Sequence, residues 1–211
     1  PTISVSAIWD TAVAKSRGRD PPSGSYSLRN SSTSITGTET SRTTAPTANR
    51  CVNLTPGPAT IQIVYSGLLN DKLRGFYRSR FTDDDGVEHT IATTQFESTS
   101  ARRAFPCFDE PAFKASYGVT LIVPEGEFAV SNGPTIFETS LGDGRKEIVF
   151  EDTMVMSTYL VAFIVGPFEA TDPVNVDGVP LRIVHPIGKG HLTDYALESG
   201  AFALKFFNEY Y

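Results

Sequence analysis

FYRSRFTDDDGVEHTIAT, residues 76–93, reads as two extended runs around a turn. Phe76 to Phe81 is an aromatic-flanked strand candidate, and Val87 to Thr93 can return beside it. Between them, Thr82-Asp83-Asp84-Asp85-Gly86 is turn chemistry, because Asp and Gly tolerate the dihedrals that a reversal requires. A hairpin here makes the chain antiparallel β from its middle outward.

The neighbouring text agrees. Upstream, Ala59 to Ser66 (ATIQIVYS) alternates, with Ile61, Ile63 and Tyr65 on one face. Downstream, strands are expected at Tyr117 to Val123, Phe128 to Ser131, Lys146 to Phe150, Ser157 to Val165 and Leu181 to Val184. Turn clusters at Pro124-Glu125-Gly126, Leu141-Gly142-Asp143-Gly144 and Asp177-Gly178 separate them. Short strands at this spacing predict a mainly β, largely antiparallel fold. Met154 to Phe163 is apolar nearly throughout, which suits a strand covered on both faces.

Both ends differ from this middle. Residues 1–50 read as an irregular Ser/Thr-rich segment, and 31–50 as linker or disorder, with a divergent strand region as the alternative. A β domain is expected over 51–188, and a helix over 189–211. In that helix Leu192, Tyr195, Ala196, Ser199, Phe202, Ala203, Phe206 and Tyr210 follow an amphipathic spacing, with Thr193 or Asp194 as its cap. Its aromatic face should pack on the sheet or on a following domain.

The bulk numbers exclude some functions. A net charge of −6 in 211 residues argues against a nucleic-acid surface. No apolar run approaches the ~18 residues of a membrane span. Cys51 and Cys107 form no CxxC pattern and read as free thiols in a reducing compartment, which points to the cytoplasm. His89, His185 and His191 match no metal-ligand spacing, and no metal site is expected in this segment.

The candidate chemistry follows the hairpin directly. TQFESTSARRAFPCFDEP, residues 94–111, mixes aromatics and charges at a density unusual for a solvated loop. In an extended segment Gln95 and Glu97 project to one side, where an amide oxygen and a carboxylate would suit an ammonium group. The alternative is a polar strand face turned to solvent. Arg102, Arg103, Asp109 and Glu110 read as structural ion pairs that pin the loop, rather than as substrate contacts or acid–base groups. Cys107 has no histidine near it in sequence to act as its base and reads as a buried, inert thiol.

LNDKLRGFYRS (69–79), TTQFESTSARRAFPCFDEPAFKA (93–115), AVSNGP (129–134) and MSTYLVAFIVG (156–166) together resemble the N-terminal domain of the M1 family of zinc aminopeptidases, puromycin-sensitive type. The resemblance covers about residues 56–211. It implies a saddle-like antiparallel β domain that leads into a catalytic domain, whose first helix would be 189–211. It also implies that Gln95 and Glu97 bind the free amino terminus of a peptide substrate, with Arg102, Arg103, Asp109 and Glu110 as support. The GAMEN and HExxH motifs of such enzymes are absent here. The implied zinc and catalytic residues would therefore lie in the missing catalytic domain, and this chain alone is expected to be inactive. The alternatives are a non-catalytic β interaction module, a related hydrolase acting on a lipid epoxide, and an incomplete gene product.

Overall fold

Two four-stranded antiparallel sheets share one buried core. The computed structural model describes residues 67–211 and, ahead of them, the backbone of four strands. In chain order the strands are β1 (Ser4–Ser6), β2 (Ile8–Trp9), β3 (Ser32–Gly37), β4 (Ala59–Val64), β5 (Gly75–Thr82), β6 (Glu88–Gln95), β7 (Lys114–Ala115), β8 (Thr120–Pro124) and β9 (Phe128–Ser131). They continue with β10 (Thr135–Ser140), β11 (Arg145–Phe150), β12 (Met156–Ser157), β13 (Phe163–Gly166), β14 (Phe168–Ala170), β15 (Val174–Val176), β16 (Val179–Leu181) and β17 (Val184–Pro186). One helix, α1 (Asp194–Tyr210), follows.

The first sheet runs β1-β8-β11-β10 and the second β5-β6-β13-β9. Leu121, Val123, Ile148 and Phe150 from the first meet Ala92, Ala129, Phe163 and Val165 from the second in a single buried cluster. Alternation along β8 and β11 turns these residues inward, so the two sheets bury their apolar faces against each other as a sandwich does. Phe76 and Phe163 stack edge to face across β5 and β13 with ring centres 4.8 Å apart.

The hairpin that opened the reading is β5–β6, paired from Gly75↔Gln95 to Thr82↔Glu88. One carboxylate organises its tip. Asp83 Oδ1 accepts from the backbone N–H of Asp85 at 3.0 Å and of Val87 at 2.8 Å. Its Oδ2 lies 2.7 Å from Nε2 of His89, whose ring stacks on Phe81. The Asp177-Gly178 turn closes β15 on β16 with both residues at positive φ, as a two-residue hairpin of the right twist requires.

Three sequence expectations are refined by the structure. First, β1, β2 and β3 fall within residues 1–50, and β3 lies inside 31–50, the stretch read as linker or disorder with a divergent strand region as the alternative. It pairs with β4 over six residues, because backbone pairing does not require the apolar alternation that its Ser and Thr residues lack. The remainder of 1–50, and Cys51, lie outside the described residues. Secondly, Ser157 to Val165 is no continuous strand. The chain leaves β12, makes a 3-10 turn at Thr158–Leu160 and re-enters as β13. Met154, Val155 and Leu160 are exposed, so the run is not covered on both faces. Likewise, Leu181 to Val184 divides between β16 and β17, which pair with different strands.

The helix forms where the spacing placed it, but Thr193 does not cap it with its side chain. The Thr193 hydroxyl donates to the carbonyl of Gly190 at 2.7 Å instead. None of the helix residues is buried. The helix lies on the β15–β16 hairpin, where Gly200 faces Leu181. Tyr195, Phe202, Phe206, Phe207 and Tyr210 are exposed.

Candidate functional site

The site begins where β6 runs out. Gln95 is the last residue of that strand and pairs with Gly75. Phe96 then plunges into the core at 2% exposure and meets Phe105 and Phe163 edge to face, at 5.8 and 6.1 Å. Gln95 and Glu97 on either side of it are both exposed. Among the described residues, neither the Gln95 amide nor the Glu97 carboxylate makes a side-chain hydrogen bond or ion pair within the fold. Both side chains are thus exposed and unengaged within the fold, on a segment anchored by buried Phe96.

Asp109 holds the loop beneath them. At 1% exposure its carboxylate accepts from the Arg102 backbone N–H at 2.9 Å, from Arg102 Nε at 3.0 Å and from the Thr158 hydroxyl at 3.0 Å. Arg102 also reaches the Glu110 carboxylate at 3.6 Å. The hydrogen bond that Arg102 donates to Asp109, together with the charges of Asp109 and Glu110, raises the Arg102 pKa above its ordinary value. The loop is stitched further by Ser157, whose hydroxyl donates to the Pro111 carbonyl at 2.6 Å. The backbone N–H of Phe163 donates to Thr94 Oγ1 at 3.3 Å.

Arg103 does not join this cluster. Its stem packs over Gly75, where an added Cβ would lie 2.8 Å from Arg103 Cβ. Gly75 itself adopts φ +76°, so a glycine is required there on both counts. Among the described residues the Arg103 guanidinium has no ion-pair partner. The four charges read as one supporting group thus divide into a lock of Arg102, Asp109 and Glu110 and a separate cation.

The other reactive side chains are occupied or remote. The Cys107 thiol is pushed up to about 12, chiefly by burial and then by the Asp109 charge, so it stays protonated at neutral pH. His89 is engaged with Asp83, and the ring of His185 is held beside the Pro186 carbonyl. Among the described residues, no three of His, Cys, Asp and Glu converge as a metal ion would require. These residues do not fit a zinc site.

Sequence reading missed Thr158, Ser157 and Asn132. Asn132 donates to the Leu160 carbonyl and accepts from the Ala162 N–H, each at 2.8 Å. The signal for the first two was present, since Ser157 and Thr158 are a polar pair inside an otherwise apolar run. Asn132 offered none, because its partners are some thirty residues away.

Comparison with known proteins finds relatives over most of the chain. The sequence profile of the peptidase M1 N-terminal domain matches residues 25–160. Puromycin-sensitive aminopeptidase of Caenorhabditis elegans is 43% identical over 157 residues, which is 74% of this chain and 17% of that protein. Aminopeptidase M1-A of Oryza sativa subsp. japonica is 43% identical over 155 residues, again 74% and 17%. Endoplasmic reticulum aminopeptidase 1 of Homo sapiens is 40% identical over 154 residues, 73% and 16%. The chain therefore spans about one sixth of the length of the curated relatives it matches.

Proposed function

We propose a function from one premise, that this chain belongs to the M1 peptidase family through its N-terminal domain: it is the substrate-anchoring part of an aminopeptidase. Gln95 and Glu97 hold the free ammonium of a peptide. The observation that carries the reading is their exposure on either side of buried Phe96, with neither side chain engaged elsewhere in the fold. An ammonium offers three N–H donors and a positive charge, and these two residues offer an amide oxygen and a carboxylate. A peptide with an acylated terminus lacks the charge and loses this anchor. Holding the terminus at a fixed place sets how far along the peptide the cut falls, so residues leave one at a time.

The bond cleavage, and the zinc that the resemblance implies for it, we assign to the parent protein outside this segment, along with the second domain that would complete the cleft. No step at Gln95 or Glu97 involves the metal. We further propose a reducing, cytoplasmic setting, which the unpaired Cys107 supports. Among the described residues no helix is long and apolar enough to cross a membrane.

The test is Glu97→Ala in the parent enzyme, assayed on aminoacyl amides. Losing the charged partner of a buried ion pair costs about 2–5 kcal/mol, so kcat/KM should fall between roughly thirtyfold and several thousandfold. Unchanged turnover would remove Glu97 from the site.

A further inference from the structure

Beside Gln95 and Glu97 lies a shallow cleft of about 380 Å³ lined by Arg74, Ser98, Thr99, Ser100, Arg102 and Arg103. Its chemistry is the reverse of the neighbouring pair. Three arginines line it, and only Arg102 is matched by carboxylates, those of Asp109 and Glu110. Among the described residues the Arg74 and Arg103 guanidinium groups have no acidic partner. A protein of net charge −6 has carboxylates to spare for pairing, yet leaves these two cations open.

Ser100 supplies the independent observation. It is 5% exposed, and among the described residues its hydroxyl makes no hydrogen bond. Its Oγ is not among the buried atoms left without a partner, so it opens to the solvent of the cleft. Here the residue lines the cleft with that hydroxyl unspent. The floor is also rigid. The Ser100 carbonyl accepts from the Arg103 N–H at 3.1 Å, and the Ser100 N–H donates to the Phe96 carbonyl at 2.8 Å. Gly75 permits the close seating of the Arg103 stem.

We propose that this cleft is an oxyanion-binding site, in which Arg74 and Arg103 supply charge and Ser100 supplies a neutral donor. Guanidinium groups and hydroxyls are the donors that recognise carboxylate and phosphate oxygens. The identification of its ligand as a peptide carboxylate rests on the ammonium reading of Glu97. The cleft starts one residue after Glu97, and Gly75 joins the two places by pairing with Gln95 while abutting Arg103. A peptide held by its terminus at Glu97 would then lay an acidic side chain near its start against the arginines, and the site would favour acidic peptides over neutral ones.

The probes are inorganic phosphate, an N-acetylated acidic peptide and a neutral peptide with a free amine, each titrated calorimetrically into the 211-residue chain. Phosphate and the acetylated acidic peptide should bind saturably. Arg103→Gln should weaken both about tenfold, and Ser100→Ala about threefold with the charge unchanged. Arg103→Lys, which keeps the charge, should retain most phosphate binding, and matching thermal melts show that each variant is folded. Glu97→Gln should leave phosphate binding intact or tighten it while abolishing binding of the free-amine peptide. That split separates the two sites: a failure confined to the free-amine peptide sinks the ammonium reading alone. Phosphate binding without binding of the acidic peptide would restrict the site to free phosphate and overturn the substrate assignment. No saturable phosphate binding, or Ser100→Ala and Arg103→Gln titrating like the unaltered chain, would overturn the cleft.

Discussion

Asp109→Ala should destabilise the domain by about 3 kcal/mol, and the figure follows from what the substitution strands. Thr158, 2% exposed, loses the only acceptor within reach of its hydroxyl at 3.0 Å among the described residues. The Arg102 backbone N–H loses an acceptor at 2.9 Å. A buried donor left without a partner costs about 1–3 kcal/mol. The Arg102 side chain is half exposed and recovers its hydration, so it adds little. Relief of the buried charge offsets part of the total. Thr158→Val keeps the shape and removes one hydrogen bond to an ionised acceptor, which is worth about 2 kcal/mol. The two changes share one interaction, so the double variant should fall short of additivity by about 1–2 kcal/mol. Urea unfolding of the four proteins, with the slope unchanged across them, measures both quantities. If Asp109→Ala stays within about 0.5 kcal/mol of the original, or the two effects add, the lock is not what holds this loop.

Other outcomes follow from single residues. Gly75→Ala should cost about 1–2 kcal/mol from its left-handed backbone alone and more from the contact with Arg103, and thermal unfolding reads the loss. The Asp83 carboxyl sits below its ordinary 3.8, first because His89 donates to it and then because Val87 does. A lowered native value means its support of the hairpin tip is full above 3.8 and is lost as pH falls through the lower native midpoint. Carboxyl carbon shifts should show that midpoint, and His89→Ala should move it back up. With its pKa near 12 against an ordinary 9.0, Cys107 should react with iodoacetamide roughly a thousandfold more slowly than an exposed thiol at pH 8. A Cys51→Ser background isolates the signal, and unfolding should restore the rate.

The hairpin, the antiparallel class and the helix were legible because each is written in local chemistry. An Asp-rich turn ending in glycine, strict alternation and a 3.6-residue spacing all act within a dozen residues. The same locality explains the misreadings. Met154 to Phe163 carries the apolar content of a core strand, but its conformation answers to Asp109, nearly fifty residues earlier in the chain, which draws Thr158 into a turn. β3 carries almost no apolar pattern and is specified by the β4 backbone it pairs with. Gln95 and Glu97 were singled out from their spacing of two, and both are exposed in the structure. The separation of Arg103 from the other three charges could not be, since it depends on a cross-strand glycine at position 75.

The supporting residues and the presenting ones obey opposite rules, and this is what gives the segment its character. Phe96, Thr158 and Asp109 are almost wholly buried, and each spends its side chain on the fold. Gln95, Glu97, Arg74 and Arg103 are exposed and spend none of their side-chain polar groups on it, although acceptors and cations stand close enough in sequence to have paired. Side-chain pairing of Glu97 with Arg103 would cost the fold little to form, since surface ion pairs are worth at most about 1 kcal/mol. Its absence keeps the carboxylate and the guanidinium free at the same time. A segment built this way is rigid below and unsatisfied above, which is the arrangement that binding a charged ligand requires, because the ordering cost is met before the ligand arrives. Substitutions below the surface should therefore lower stability and binding together, whereas those at Glu97 or Arg103 should change binding with the melting temperature unmoved.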